Sequence, residues 1–580
     1  MDDITENKIT DDATAQARPA TTTKPITRSD DSEANIKETI ESIIVAFILA
    51  FVFRAFVVEA FVIPTGSMAP TLLGAHMRFR CPDCGYRFDV NYSTPNADDM
   101  VIPDRAYGKT YSIFCPNCGY RMPRRSDDPM ASASSPPINY GDRILVLKYL
   151  YLFQDPRRWD VVVFKSPSEP DRYDYQQNYI KRLVGRPNET VMILDGDIYV
   201  SPHSNRLEDF VIQTKPRDVQ DALWRVVYDN DFYPQGRSRV LLDEYGQPFM
   251  RRGEVRADPP FVEPWTPQPG ESGWEIGNKR PEARTFRFNN LKSAGSIFFD
   301  ASANPNKRAL TDWLAYDTTA NQSGTPGDYE NDSYTAQAIV SDLKLSFFYQ
   351  RKDGDGPLTA QLSKYDDRFI AEVNGGKISL RHVKPNGSET VIRNVNFSHD
   401  WSRPTQVELI NVDYQVTVRI DGKDVIVTTP DEYHPDLQAR LRDYERDKRP
   451  PKPSIRIACA NQVAELTHVG LWRDIYYLNR GSRIGRTGFW GSPAHFPENL
   501  IELGPEEYFC CGDNSPISLD GRWWHEEINL PDEDLKVESG RVPKRFLLGK
   551  AFFVYWPAGY RPIDPSPSII PNFGDMRFIH

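Results

Sequence analysis

Ile63-Pro64-Thr65-Gly66-Ser67-Met68-Ala69-Pro70-Thr71-Leu72 follows directly on the one strongly apolar segment of the chain. It sets a serine between two prolines, beside a glycine and close to a threonine. Gly66 opens backbone angles closed to other residues. Pro64 and Pro70 fix their own φ and restrict the residue before each. The pattern predicts a rigid, non-helical presentation of Ser67. Such a serine becomes a nucleophile only if the rest of the chain brings a base, an oxyanion donor and a substrate groove.

Upstream, Ile40 to Phe61 is apolar except for Glu41, Ser42, Arg54 and Glu59. The uninterrupted part, Ile43 to Phe53, is shorter than the roughly 20 residues that span a bilayer as a helix. The flanks complete the length if Arg54 snorkels to the interface. A single transmembrane helix over 37–60 is expected, in preference to a buried soluble helix or a cleaved signal peptide. Residues 1–36, rich in Thr, Asp, Ala and Lys, read as a disordered tail. Lys24, Arg28 and Lys37 before the helix and Arg54 at its end give little orientation signal. The chain has 580 residues, enough for two to four domains, and its net charge of −11 argues against a nucleic-acid surface. Seven cysteines are too few for a disulfide scaffold at this length. Cys459, Cys510 and Cys511 sit in apolar runs and read as small core residues.

Downstream, Cys81-Pro82-Asp83-Cys84-Gly85-Tyr86-Arg87 is repeated as Cys115-Pro116-Asn117-Cys118-Gly119-Tyr120-Arg121. Two thiolates two residues apart can bite one metal ion, and two such knuckles complete a tetrahedral tetrathiolate site. Structural zinc is the default, with iron or a pair of disulfides as alternatives. Met130 to Pro137 reads as a linker. Arg143 to Lys148, Val161 to Phe164, Tyr179 to Gly185 and a hairpin over Thr190 to Val200 carry strand signals. From 203 to 480 the chain turns polar and turn-rich. Short alternating strands there, such as Leu343-Leu345-Phe347 and Val416-Val418-Ile420, suggest an antiparallel β-sandwich. Asp431 to Pro453 reads as an exposed loop. Tyr508 to Cys511 and Leu547 to Trp556 are the last strands.

The base for Ser67 is open at this point. No Gly-X-Ser-X-Gly elbow surrounds it, and nothing near His76 signals an orienting carboxylate. Lys181 stands in an apolar strand, where burial would lower its pKa by disfavouring the ammonium form. An edge-strand gatekeeper is the plainer reading of that lysine.

Ile63 to Leu72, Gly141 to Lys148, Trp159 to Pro167, Tyr179 to Pro187 and Gly512 to Arg522 follow one another in order after the apolar helix. Together they resemble the sequence boxes of the bacterial type I signal peptidases. The resemblance implies an all-β Ser/Lys-dyad protease that removes signal peptides from exported preproteins at the outer face of the cytoplasmic (inner) membrane. It implies Ser67 as nucleophile, Lys181 as general base, Thr65 as an oxyanion donor and Ser518 as the serine that orients the lysine. Asp513, Asp520, Arg522 and Arg182 fall on structural ion pairs. Phe61, Ile63, Met68, Leu72, Val163, Tyr179 and Ile180 fall on shallow pockets for small, Ala-X-Ala-like substrate residues. Ile517 and Gly521 depart from the usual Asn and Ser of the last box.

The expected organisation is mainly β. A catalytic core over 61–75, 137–202 and 481–580 is interrupted by a zinc-ribbon-like insertion over 76–136, with Cys81, Cys84, Cys115 and Cys118 as ligands. A second interruption over 203–480 resembles a concanavalin- or laminin-G-like jelly roll, with a glycan or protein ligand or a spacer role as its alternatives. No cofactor is expected in catalysis. The competing reading is a non-catalytic, membrane-anchored surface protein that displays this β-sandwich on a peptidase-like scaffold.

Overall fold

The computed structural model describes residues 30–92, 113–122, 138–167, 177–241, 247–248, 250–251, 253–319, 338–479, 490–525, 527–530, 535–558 and 572–580. The chain divides into two compact units, 1–57 and 58–580. In the first, helix α1 spans Asp30–Phe56. Ile40, Ile43, Ile44, Val45, Phe47, Ile48, Leu49 and Phe51 are all exposed on it. Among the described residues, no helix is long and apolar enough to cross a membrane. The helix departs from the expected span at both ends. It begins at Asp30, inside the segment expected to be a disordered tail, while residues 1–29 lie outside the described residues. It stops at Phe56, and Val58 to Ala60 belong instead to a strand, where valine's branched side chain fits a pleated surface better than a helix.

The second unit is mainly β. Strand β1 (Val58–Val62) is followed by β2 (Arg143–Leu147), β3 (Val161–Lys165), β4 (Asn178–Gly185), β5 (Ile455–Arg473), β6 (Glu507–Cys511) and β7 (Leu547–Trp556). One sheet runs β1-β2-β7-β3-β4-β6, with the short strand Val542–Pro543 beyond β6 and all pairs antiparallel. Its central strand reads as an unbroken apolar run because both faces are covered. Val161 and Val163 join Ile144, Val146, Met68 and Leu72 on one side. Val162 and Phe164 join Leu183, Tyr508 and Trp524 on the other.

The cysteine repeat is also a structural repeat. Cys81 N–H donates to Tyr86 O at 2.8 Å and Cys115 N–H to Tyr120 O at 2.9 Å. Gly85 and Gly119 close the two knuckles at φ of 85° and 68°, angles that glycine adopts without a Cβ clash. The variable residue of each knuckle is the docking residue. Asp83 accepts N–H bonds from Gln235 and Arg237, both at 3.0 Å. Asn117 donates to Phe232 O at 3.0 Å and accepts from Asp229 N–H at 2.8 Å. The knuckle pair is therefore seated on the start of the second insertion.

That insertion is built along β5. Its first half pairs with Leu358–Lys364 and its second half with Leu343–Gly354, while Thr285–Phe299 runs along its other side. A single 13-stranded sheet results. Alternating apolar residues from both arms, including Phe347, Leu362, Phe369, Leu409, Val418 and Ile457, share one core. Two sequence boundaries shift, and one expected loop contains a helix. Val211–Ile212 pairs back onto the hairpin strand Asp197–Ser201, and Tyr477 bridges to Gly196. The large sheet thus occupies residues 225–473 and not the expected 203–480. The expected loop over Asp431 to Pro453 contains a helix, Leu437–Glu445, whose first turn is capped by Asp436 accepting from Ala439 N–H at 2.9 Å.

Buried charges join the large sheet to the core hairpin. Lys364 Nζ lies 2.9 Å from Asp197 and 2.5 Å from Asp342. Lys215 Nζ lies 2.5 Å from Asp413 and 2.8 Å from Asp474. Breaking a buried pair leaves an uncompensated charge in a medium that solvates it poorly. Lys364→Met should therefore lower unfolding free energy by roughly 3–5 kcal/mol, read as a shifted midpoint in urea. An unchanged midpoint would mean that this pair does not hold the two parts together.

Candidate active site

The turn that carries Ser67 is fixed by its backbone. Gly66–Met68 forms a single 3-10 turn, with Ala69 N–H donating to Gly66 O at 3.0 Å. Its entry and exit are tied to Gly141-Asp142. Ile63 N–H donates to Asp142 O at 2.9 Å, Asp142 N–H to Leu73 O at 2.9 Å, and Leu73 N–H to the Asp142 carboxylate at 3.0 Å. Gly66 does not use a positive φ, contrary to the expectation that it supplies unusual angles. It is needed for space: a Cβ there would stand 2.5 Å from the Tyr316 ring. Gly512 closes in from the other side, where a Cβ would stand 2.5 Å from Ser67 O.

Lys181 Nζ donates to Ser67 Oγ at 2.8 Å and to Ile180 O at 3.0 Å. The lysine is buried, and burial lowers its pKa to about 8 against the opposing field of the Asp520 carboxylate. A base of that pKa is neutral in an appreciable fraction of molecules near neutrality. Thr65, exposed and extended just before the turn, makes no capping bond with its side chain.

Ser518 differs from its expected role. Its Oγ is buried and has no hydrogen-bond partner, so the expected bond to the lysine is not formed. Ile180 O takes that place on Lys181. Ser518 is held by its backbone instead, its N–H donating to Asn514 O at 3.0 Å.

The two ion pairs brace the site. Arg182 grips Asp513 through Nε and Nη2, both at 2.7 Å, and donates to Trp159 O and His580 O. Arg522 grips Asp520 at 2.8 and 2.7 Å, and Asp520 accepts from Gly512 N–H at 2.8 Å. Six of the seven expected lining residues meet in one apolar cluster: Ile63, Met68, Leu72, Val163 and Ile180, with Phe61 against it. Tyr179 belongs to the opposite layer, with Phe164 and Trp524. Met68, Leu72 and Val163 are at most 2% exposed, so they are interior side chains and not an open surface.

Three residues at the site carry no sequence-based assignment. Asn514 N–H donates to Ser67 O at 3.0 Å. Its side-chain amide donates to Gly66 O at 3.0 Å and to the Asp317 carboxylate at 2.7 Å. Tyr316 packs with Ala69 and Leu73 under the turn. Asn514 lies inside the last sequence box, a signal that pointed to it; Tyr316 and Asp317 come from the polar second insertion, where no local pattern marks them.

At the knuckles, Cys81, Cys84, Cys115 and Cys118 place their Sγ atoms within 4.8 Å of one another. Cys81 and Cys118 Sγ are 3.6 Å apart, and Cys84 and Cys115 Sγ 3.5 Å. Those separations exceed the ~2.05 Å of a disulfide. They are close to the ~3.8 Å edge of a tetrahedron with metal–sulfur bonds of about 2.3 Å. Cys84 and Tyr86 N–H groups point at the sulfurs of Cys81 and Cys84, at 3.5 and 3.4 Å.

Residues 36–102 and 128–232 match the family described as signal peptidase, peptidase S26. Over this region, the chain is similar to the S26 peptidases. Ser67, Thr65 and Lys181 lie within the matched segments, and the strand and turn carrying Asp513 to Arg522 lie outside them. Signal peptidase I of Rickettsia bellii (strain OSU 85-389) is 26% identical over 30% of this chain and 43% of its own length. Thylakoidal processing peptidase 1 of Arabidopsis thaliana is 30% identical over 20% of this chain and 32% of its own. A probable signal peptidase I-2 of Synechocystis is 30% identical over 17% and 48%. The chain thus spans a third to a half of the length of these curated relatives. Among solved structures, the carbohydrate binding module CBM66 of Bacillus subtilis aligns with 36% of this chain and 94% of its own, at 11% identity and a TM-score of 0.21. Sheep galectin-11 aligns with 23% and 92%, at 12% identity and a TM-score of 0.17. Scores that low carry no argument about fold or ligand.

Proposed function

We propose that this chain is a membrane-anchored serine endopeptidase of the signal peptidase type, which cleaves N-terminal signal peptides from exported preproteins. The observation that carries the reading is the 2.8 Å contact between Lys181 Nζ and Ser67 Oγ, made by a buried lysine of lowered pKa. Neutral Lys181 takes the Ser67 proton as Oγ attacks the scissile carbonyl. The Ser67 N–H and the Thr65 hydroxyl stabilise the oxyanion. Lys181 then protonates the leaving amine, and later deprotonates the water that hydrolyses the acyl-enzyme.

Two strand edges suit an extended substrate. β4 pairs with β6 only from Arg182 onward, and among the described residues Asn178 to Lys181 has no strand on that side. β1 is an end strand of its sheet. A peptide laid between them would add backbone hydrogen bonds to both. Met68 and Leu72 already fill the interior there, which favours small side chains next to the cut. Helix α1 exposes eight large apolar residues, and we assign it to the cytoplasmic membrane, with the catalytic core on the outer face. The tetrathiolate cluster fits a structural zinc held by Cys81, Cys84, Cys115 and Cys118. All four positions are taken by protein, so that ion would stabilise the fold and not act in catalysis.

Ser67→Ala and Lys181→Ala should each abolish cleavage of a preprotein in detergent while leaving the melting curve unchanged. Retained cleavage in either variant rejects the dyad. Because the base must be neutral, kcat/KM should rise about tenfold per pH unit below 8 and level off above it; a rate flat from pH 6 to 9 would exclude Lys181 as base. Elemental analysis of purified protein should find about one zinc per chain, whereas metal-free protein without reactive thiols would indicate disulfides. After alkaline carbonate extraction the full-length chain should stay with the membrane pellet; release into the supernatant would remove α1 from the anchoring role.

A further inference from the structure

Among the described residues, the second insertion places a short segment beside the Ser67 turn, and that segment bonds to the Asn514 side chain that reaches the turn. Ala315–Thr319 is a single 3-10 turn between Thr285–Phe299 and Leu343–Gly354 of the large sheet. From it, the Asp317 carboxylate accepts a 2.7 Å bond from the Asn514 amide. The same amide nitrogen donates to Gly66 O at 3.0 Å, while the Asn514 backbone N–H donates to Ser67 O. An amide nitrogen has two hydrogens, so both are used: one on the turn, one on the insertion. Asp317 therefore fixes the rotamer in which Asn514 can reach Gly66. Tyr316, wholly buried beside Ala69 and Leu73, fills the space that the missing Cβ of Gly66 leaves open.

Resting on the proteolytic reading above, we propose that Asp317 and Tyr316 are positioning residues for Ser67, and that the 225–473 insertion is an obligatory part of the active site. It is not a spacer or a display module. The insertion acts through the turn: Asp317 orients Asn514, Asn514 holds the Gly66 and Ser67 carbonyls, and Tyr316 supports the turn from beneath. Neither side chain is assigned a contact with substrate. The consequence is confined to the geometry of attack, since Lys181 keeps its own contacts with Ser67 and Ile180. Small displacements of a nucleophile far from any lost substrate contact lower turnover steeply.

The test uses the full-length chain and a peptide or preprotein with an Ala-X-Ala cut site. Asp317→Leu removes the acceptor at similar volume, and Asp317→Asn retains a side-chain oxygen for the Asn514 amide. Asp317→Leu should lower kcat by about tenfold to a hundredfold with KM little changed, and Asp317→Asn should recover most of the rate. Tyr316→Phe should behave as wild type and Tyr316→Ala as Asp317→Leu. Circular dichroism and melting of each variant show whether the fold is retained. A folded Asp317→Leu with wild-type kcat overturns the inference. So does Asp317→Asn as impaired as Asp317→Leu, because the loss would then come from charge or packing and not from the acceptor. Should Asp317→Leu fail to fold, the Tyr316→Phe and Tyr316→Ala pair decides: equal kcat in the two overturns the support from beneath the turn. Wild-type protein whose cleavage does not depend on Ser67 rejects the proteolytic reading itself, a separate result from either.

Discussion

A lysine can serve as a base only where water does not solvate its ammonium form. Lys181 sits in such a place, closed in by the two apolar layers of the core sheet, with Ser67 Oγ and its own strand's Ile180 O as its polar contacts. The fall from 10.5 to about 8 is the balance of burial against the Asp520 field. Relative to a lysine in water, that moves the balance toward the neutral amine by roughly 3 kcal/mol. Asp520 is held by Arg522 in a bidentate pair with no solvent exposure, and the Arg522 charge works against the Asp520 field at Lys181. That pairing keeps the carboxylate from drawing the lysine's pKa back to its ordinary value. The pair that looks merely structural in the last sequence box is thus part of what sets the basicity at Ser67.

Much of this was legible in the sequence because it is written in local backbone demands. The prolines around Ser67 and the apolar run Val161 to Phe164 each impose a conformation on their own neighbours. Lys181 was legible as an oddity, a charge inside an apolar strand. Pairings of distant residues could not be read this way. Nothing in Trp313 to Asp317 distinguishes it from other polar loops of the insertion, yet it meets the nucleophile turn. Ser518 fails in the opposite direction. Its position in the box suggested a bond to Lys181, but the bond depends on a side-chain rotamer that no sequence pattern specifies. Element boundaries moved for the same physical reason. Val211–Ile212 and Tyr477 have strand partners in the core hairpin, and long-range pairing overrides the change in composition that marked the expected border.

The role of Gly66 shows how a correct residue can be chosen on an incomplete reason. Its usual justification is a backbone angle, but here the angle is ordinary and the constraint is the Tyr316 ring. Gly512 obeys the same rule against Ser67 O. Glycines on opposite sides of the serine therefore serve close approach, one admitting the insertion and one admitting the strand turn after β6.

The insertions are consequently coupled to each other before either is coupled to chemistry. Asp83 and Asn117, one in each knuckle, bond to backbone groups between Asp229 and Arg237, where the large sheet begins. Arg121 adds a bidentate pair to Asp258 in the same insertion, at 2.8 Å on both arms. The large sheet then reaches the serine turn through Tyr316 and Asp317, and the core hairpin through Lys364. The 3-10 turn Ala315–Thr319 makes the contact on the Ser67 side, through the Asp317 carboxylate to Asn514 and the Tyr316 ring beside Ala69. On the reading proposed above, its hold on Asn514 makes the added domain part of the active site.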